Sequence, residues 1–403
     1  MTDPYMPGLN GFANNPNWEL DTGQDYLRLA WEGSSGQIIT EPEIDWLEGD
    51  GTAKAPYRID TSDQLILLSK AGILWDKHFI LGADIDMNPN LPGGQLFTQA
   101  VIPRFTGVFD GNDHTISHLT IEGESYLGLF GQVRSRAMVS NMSLEAIDVN
   151  GTGDCVGGLV GDNDSGSITN CYCTGMVNGF LSVGGLVGLN DDGSITNCCS
   201  TCTVNGPWSV GGLVGDNRYG SITNCYSTST VNGDWRVGGL VGDNRYTSNS
   251  ITNCYSTGTV NGDGNVGGLV GLNGYFNSIT NCYSTGTVNG TGVKVGGLVG
   301  LNWSGSVTSS YSTGTVNGTG DDVGGLVGRN EYGNITSSFW DIETSGQILG
   351  EGGTGKTTAE MQTAGTFLEA GWDFVAETEN GTDDIWWILE GQDYPRLSWE
   401  AHD

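Results

Sequence analysis

The sequence predicts an all-β chain wound into a right-handed parallel β-helix, a β-solenoid of about seven clear coils plus degenerate coils, with short helical caps. Three observations carry this. The string Val-Gly-Gly-Leu-Val-Gly begins at Val156, Val183, Val210, Val237, Val266, Val295 and Val323, with successive starts 27, 27, 27, 29, 29 and 28 residues apart, and a near-constant period of this size marks stacked repeats. Within a repeat the side chains alternate, with Cys225, Ser227, Ser229 and Val231 on one face and Tyr226, Thr228 and Thr230 on the other, which is the period of a strand. Glycine supplies 67 of 403 residues and proline only 10, so the chain turns often without a collagen-like or Pro-rich composition.

Three short extended segments separated by Gly and Asn corners make one coil. Coils stack about 4.8 Å apart through parallel hydrogen bonds, each strand beside its own copy. Right-handed winding follows from the crossover rule. No stretch of a repeat is free enough of glycine for a helix. The strand that begins at Cys225 is expected to stop at Val231, because Asn232-Gly233 tolerates positive φ and marks a turn.

Stacking turns every repeated position into a column. Cys171, Cys198, Cys225, Cys254 and Cys282, continued by Ser310 and Ser338 and preceded by Met142, form an inward column of mostly small residues. Asn141, Asn170, Asn197, Asn224, Asn253 and Asn281 fall at a corner, where stacked amides bond to one another. Outside run Tyr172, Tyr226, Tyr255, Tyr283, Tyr311 and Phe339, interrupted by Cys199. The nine cysteines read as core rather than as a zinc site, since the number is odd and no histidine lies near them. Stacked cysteines come within bridging range, so an occasional disulfide stays open.

The remaining chain divides around the repeats. Residues 1–33 are a tail-like segment, since residues 23–32 nearly duplicate residues 391–400. Residues 34–104 form an N-terminal cap with a short helix after Thr61, 105–155 degenerate coils, 156–340 the seven repeats and 341–403 a C-terminal cap. In that cap a helix is expected from Thr357 to Leu368 and an apolar strand over residues 385–389. The duplicated motif points to tandem copies or to head-to-tail self-association.

Residues 156–340, with strings such as Gly158-Leu159-Val160-Gly161, resemble the GLUG-motif repeat family. Its members are large secreted or surface-anchored proteins of bacteria and some archaea, and in streptococcal immunoglobulin A metallopeptidases the repeats accompany a separate catalytic domain. The resemblance implies a passive extracellular or cell-surface role in display, adhesion or matrix binding. No HExxH string is present, so zinc-peptidase activity is not carried over.

Lys and Arg total 15 against 47 Asp and Glu, a formal charge of −32, which repels nucleic acid and anionic membrane surfaces. No apolar run is long enough to insert in a membrane. The opening residues, Met1 to Met6, lack the basic and apolar regions of a secretory signal, so export would be encoded elsewhere.

No catalytic residue is assigned. Residues 350–357 match the P-loop string, but the context is a solenoid cap without a buried strand before it, and the match is rejected. A polysaccharide lyase or glycoside hydrolase is the alternative class, with Asp84, Asp86, Asp110 and Asp113 near His114 and His118 as its only clustered acids. No cofactor is assigned, and calcium is the candidate if one binds, through Asp162, Asp216 and Asp243 in loops after the glycine strand. Leu189, Leu272, Leu301 and Arg329 replace them in other coils, so no site is shared by every coil and solvated acidic loops are favoured. The ligand-binding candidates are Tyr219, Tyr246, Tyr275, Trp303 and Tyr332 in the loops after the glycine strand, whose rings suit the faces of sugars in a glycan or matrix polymer.

Overall fold

The computed structural model describes residues 44–402 and one short antiparallel strand pair, Trp18–Glu19 with Arg28–Leu29. The chain divides into two units, Met1–Leu47 and Glu48–Asp403, and the solenoid is the second. The expectation that residues 1–33 serve as an association segment otherwise lies outside the described residues.

The glycine strands stack as one parallel sheet of nine, from Ile102–Phe105 and Phe130–Arg134 through Val160–Asp164 to Val327–Glu331. Two degenerate coils therefore precede the seven clear ones. Equivalent residues pair, as in Val214↔Val241 and Asn217↔Asn244. Identical neighbours fill one narrow core, so Val210, Leu213, Val214 and Ile222 and their copies are buried. At the repeat string the backbones themselves touch. A Cβ added to Gly211 would sit 1.9 Å from the Val214 carbonyl oxygen, which is why glycine recurs there.

The cysteine column is buried from Cys171 to Cys282 and continues through Ser310 and Ser338. All nine cysteines are free thiols. The alternation at Cys225 holds, with Cys225, Ser227, Ser229 and Val231 buried.

The strand does not stop at Val231. Thr230–Gly238 runs straight through Asn232-Gly233, paired with Thr203–Gly211 as Asn205↔Asn232 and Gly206↔Gly233. These asparagines form a ladder of their own, Asn232 donating to Asn205 at 2.8 Å and Asn261 to Asn232 at 2.8 Å. Tolerance of a turn is not a demand for one when the amide finds a partner in the next coil. Positive φ falls instead at the corner asparagines, Asn224 at 52° and Asn253 at 53°.

Thr61 caps a helix over Ser62–Leu68 through a reciprocal bond with Gln64, as its sequence predicts. The helix expected from Thr357 to Leu368 is instead two short ones, Thr358–Met361 and Ala364–Leu368. Met361 and Phe367 lie six positions apart, about 120° apart around a straight helix, and the break lets both enter one apolar cluster.

The C-terminal segment closes the solenoid with Thr354–Lys356, which pairs parallel to Phe339–Asp341. Beyond it the chain lies along the outside of the tyrosine column. Tyr226, Tyr255, Tyr283 and Tyr311 stack with centroids 4.9, 4.9 and 5.0 Å apart, and Phe367, Trp372 and Trp386 pack onto Tyr311.

Candidate functional site

The loop aromatics sit at a corner that the repeat makes rigid. Asn217 is buried and donates to Gly220 across the loop at 3.2 Å and to Asn244 of the next coil at 2.8 Å. The same bond continues from Asn163 to Asn330, each side chain donating to the next coil at 2.7–2.9 Å. With the inside of the corner tied, the chain reverses through positive φ at Tyr219, Tyr246, Tyr275 and Tyr332, and their rings are exposed.

Four of the five sequence candidates come together. Tyr219 stacks on Tyr246 at 5.3 Å, Tyr246 on Tyr275 at 6.4 Å, and Tyr275 meets Trp303 at 5.1 Å. Each of these four residues is 39–50% exposed. Tyr332, in the last coil, projects at 92% exposure beyond this run. The guanidinium groups of Arg218 and Arg245 lie 5.8 and 5.5 Å from the Tyr246 ring centre, close enough for cation–π attraction.

The three acids proposed for calcium occupy a different setting from solvated loops. Asp162, Asp216 and Asp243 are on the glycine strands in one register column, with Leu189 between the first two, and all three are buried. Asp216 accepts two bonds from Arg218, at 2.9 and 2.7 Å, and one from Arg245 at 3.0 Å. Asp243 meets Arg236 at 2.9 Å and Arg245 at 3.2 Å, and Asp162 accepts from Gln132 at 3.1 Å. Burial pushes the Asp162 carboxyl up to about 6; burial, together with the Asp216 charge, pushes Asp243 up to about 7. Arginines neutralise Asp216 and Asp243 through one oxygen each, which disfavours calcium there, while the second oxygen of each of the three acids is buried without a hydrogen-bond partner. Among the described residues no group of three or more His, Cys, Asp or Glu is placed to hold a metal.

The acids considered for catalysis are surface pairs. His114 lies 3.1 Å from Asp84 and His118 2.9 Å from Asp86. Hydrogen bonds hold both carboxyls below their usual range, from Thr115 and His114 on Asp84 and from His118 and Asn88 on Asp86. Asp110 is occupied in its own turn, accepting from Asn112 and Asn141 at 2.9 and 3.0 Å. The P-loop look-alike is an edge strand whose Lys356 meets Glu360 at 3.4 Å.

A model of the GLUG motif matches five consecutive segments, residues 181–205, 206–232, 233–261, 262–289 and 292–317. Residues 181–317 are GLUG-motif repeats. Parts of this chain are also similar to parts of larger proteins. Halomucin of Haloquadratum walsbyi is 34% identical over 142 residues, 32% of this chain and 2% of its own length. A candidate Gly-rich membrane protein of Evansella cellulosilytica is 34% identical over 122 residues, 28% of this chain and 14% of its own. The chain thus spans a small part of either relative. A candidate immunoglobulin A1 protease from Bacteroides ovatus superimposes over 87% of this chain and 94% of its own, at 20% identity and a TM-score of 0.45.

Sequence reading passes over a second aromatic pair beside the GLUG strands. Trp208 and Trp235 stack with centroids 6.0 Å apart and planes 11° apart, both exposed. The signal was available, since each stands two residues before the valine of its repeat string.

Proposed function

We propose that this chain is a module of a secreted or cell-surface protein whose stacked loop aromatics, Tyr219, Tyr246, Tyr275 and Trp303, bind a glycan or matrix polymer. The observation that carries the reading is the run of half-exposed rings fixed at successive coils. Their mutual stacking leaves part of each residue open to solvent, 39–50% of its surface. Each ring offers a flat apolar face to a sugar, and evenly spaced weak sites gain avidity along a polymer. Similarity to halomucin and to a Gly-rich membrane protein supports the surface location.

The test is a glycan array and polymer pull-down with the parent chain and with Tyr246→Ala/Tyr275→Ala/Trp303→Ala. Binding should fall in the triple variant while its melting temperature stays unchanged. Unchanged binding, or none in the parent, removes the reading. Release of sugar products by the parent would instead favour the polysaccharide-cleaving alternative.

A further inference from the structure

The indoles of Trp208 and Trp235 belong to the strands Thr203–Gly211 and Thr230–Gly238, which precede the glycine strands rather than follow them. Both strands are paired along both edges, so the rings stand on rigid backbone. Their register column reads Leu181, Trp208, Trp235, Gly264. A Cβ on Gly264 would come within 2.5 Å of the Trp235 ring, so that indole lies across the glycine position. The two rings stack nearly parallel, with 11° between their planes and 6.0 Å between centroids, and the two residues are 40% and 43% exposed.

An open trough of about 570 Å³ lies beside these strands, lined by the residues that precede the indoles rather than by the indoles themselves. Pro207 and Asp234, which line it, immediately precede the two tryptophans, and the rest of its wall includes Asn232, Asn261, Asp263 and Asn289. Each of these amides gives one hydrogen bond to the preceding coil, at 2.8 Å. Asn232 and Asn261 each receive one from the following coil. An amide has two N–H groups and two acceptor lone pairs, so the row keeps donor and acceptor capacity at every coil.

We infer that Trp208, Trp235 and the bordering trough form a second binding site, for an uncharged polysaccharide lying along the solenoid axis. The rings suit the apolar faces of sugar residues, and the amide row suits their hydroxyl groups at a regular spacing. Asp234 and Asp263 place negative charge in the trough, which disfavours uronates and sulfated chains. A protein partner would be expected to seat an aromatic anchor in an apolar pocket, whereas here the rings are bordered by amides and carboxylates. The inference shares with the proposed function the premise that the surface binds glycan. It concerns a different edge of the coil, so the two can fail separately.

The test is affinity electrophoresis of the full chain in gels carrying neutral soluble polysaccharides (β-glucan, mannan, starch) or polyanionic ones (alginate, heparin). At least one neutral polymer should retard the parent and the polyanions should not. Trp208→Ala/Trp235→Ala should weaken retardation at least tenfold, while Tyr246→Ala/Tyr275→Ala/Trp303→Ala keeps the component due to this site. Gly264→Val, which crowds the Trp235 ring without removing either indole, should weaken it as well and carries the test if the double variant melts early. The site is overturned if no neutral polymer retards the parent, if the tryptophan variants migrate as the parent does, or if only polyanions or a protein partner require the tryptophans. Loss in the loop variant alone would leave the proposed function standing and this site refuted.

Discussion

Tyr283 donates its phenolic hydrogen to Glu400 over 2.8 Å, joining the middle of the tyrosine ladder to residues 117 positions later in the chain. The bond shows that one flank of the solenoid is an internal interface. Trp386 is fully buried in that interface, 4.6 Å from Trp372 and 6.0 Å from Tyr311. Trp386→Ala should destabilise the C-terminal segment by about 3–5 kcal/mol, and Glu400→Ala by about 1–3 kcal/mol through the orphaned phenol. Hydrogen exchange and denaturant titration check both, and unchanged stability in the two variants would contradict the interface.

Ser310 continues the buried cysteine column and donates to the Thr308 carbonyl at 2.8 Å. Ser310→Trp should overpack the narrow core at a cost of about 1–3 kcal/mol or more. An unchanged melting temperature would mean that the column is not core.

The two amide ladders separate chemistry from burial. Asn244 is fully buried between Asn217 and Asn273, whereas Asn317 is exposed at the end of its ladder. Asn244→Ala leaves a buried donor and a buried acceptor without partners, for a loss of about 1–3 kcal/mol each. Asn317→Ala, where water replaces the lost partner, should stay within about 0.5 kcal/mol. Urea denaturation of the two variants decides it.

Asp243 gives a pH dependence whose sign follows from its displaced carboxyl. The unfolded side chain holds its proton only to about 3.8, and the folded one to about 7. Between these values the folded state binds more protons, so this residue's contribution to stability falls as pH rises. Melting temperatures measured from pH 4 to 8 should show the parent losing ground to Asp243→Asn, with most of the change complete near pH 7. A parallel pair of curves would show that Asp243 ionises freely in the fold.

Calcium should leave the melting temperature where it is, with or without chelator, because Asp216 and Asp243 face Arg218, Arg236 and Arg245. A specific ion binding only the folded chain would raise it in proportion to the logarithm of its concentration.

Much of this architecture is legible in the sequence, because in a solenoid the neighbour of each residue is its own copy one period away. The Val-Gly-Gly-Leu-Val-Gly strings, together with Ser-Ile-Thr-Asn-Cys recurring from Ser194, Ser221 and Ser250, determine that Cys225 stacks between Cys198 and Cys254, that Tyr226 stacks on Tyr255, and that Tyr219, Tyr246, Tyr275 and Trp303 share a run. What the period does not encode is which faces another segment covers and which charges are neutralised. Asn232-Gly233 looked like a turn because local preference cannot see the Asn205 amide waiting in the preceding coil. Asp216 and Asp243 looked like solvated loop acids because their burial depends on arginines before and after them on neighbouring strands. The tyrosine ladder looked like a free outer stripe because Trp386 and Glu400 reach it only through tertiary folding. Repetition sets contacts within the stack, and contacts made once, between non-repeating segments, are decided by packing in three dimensions.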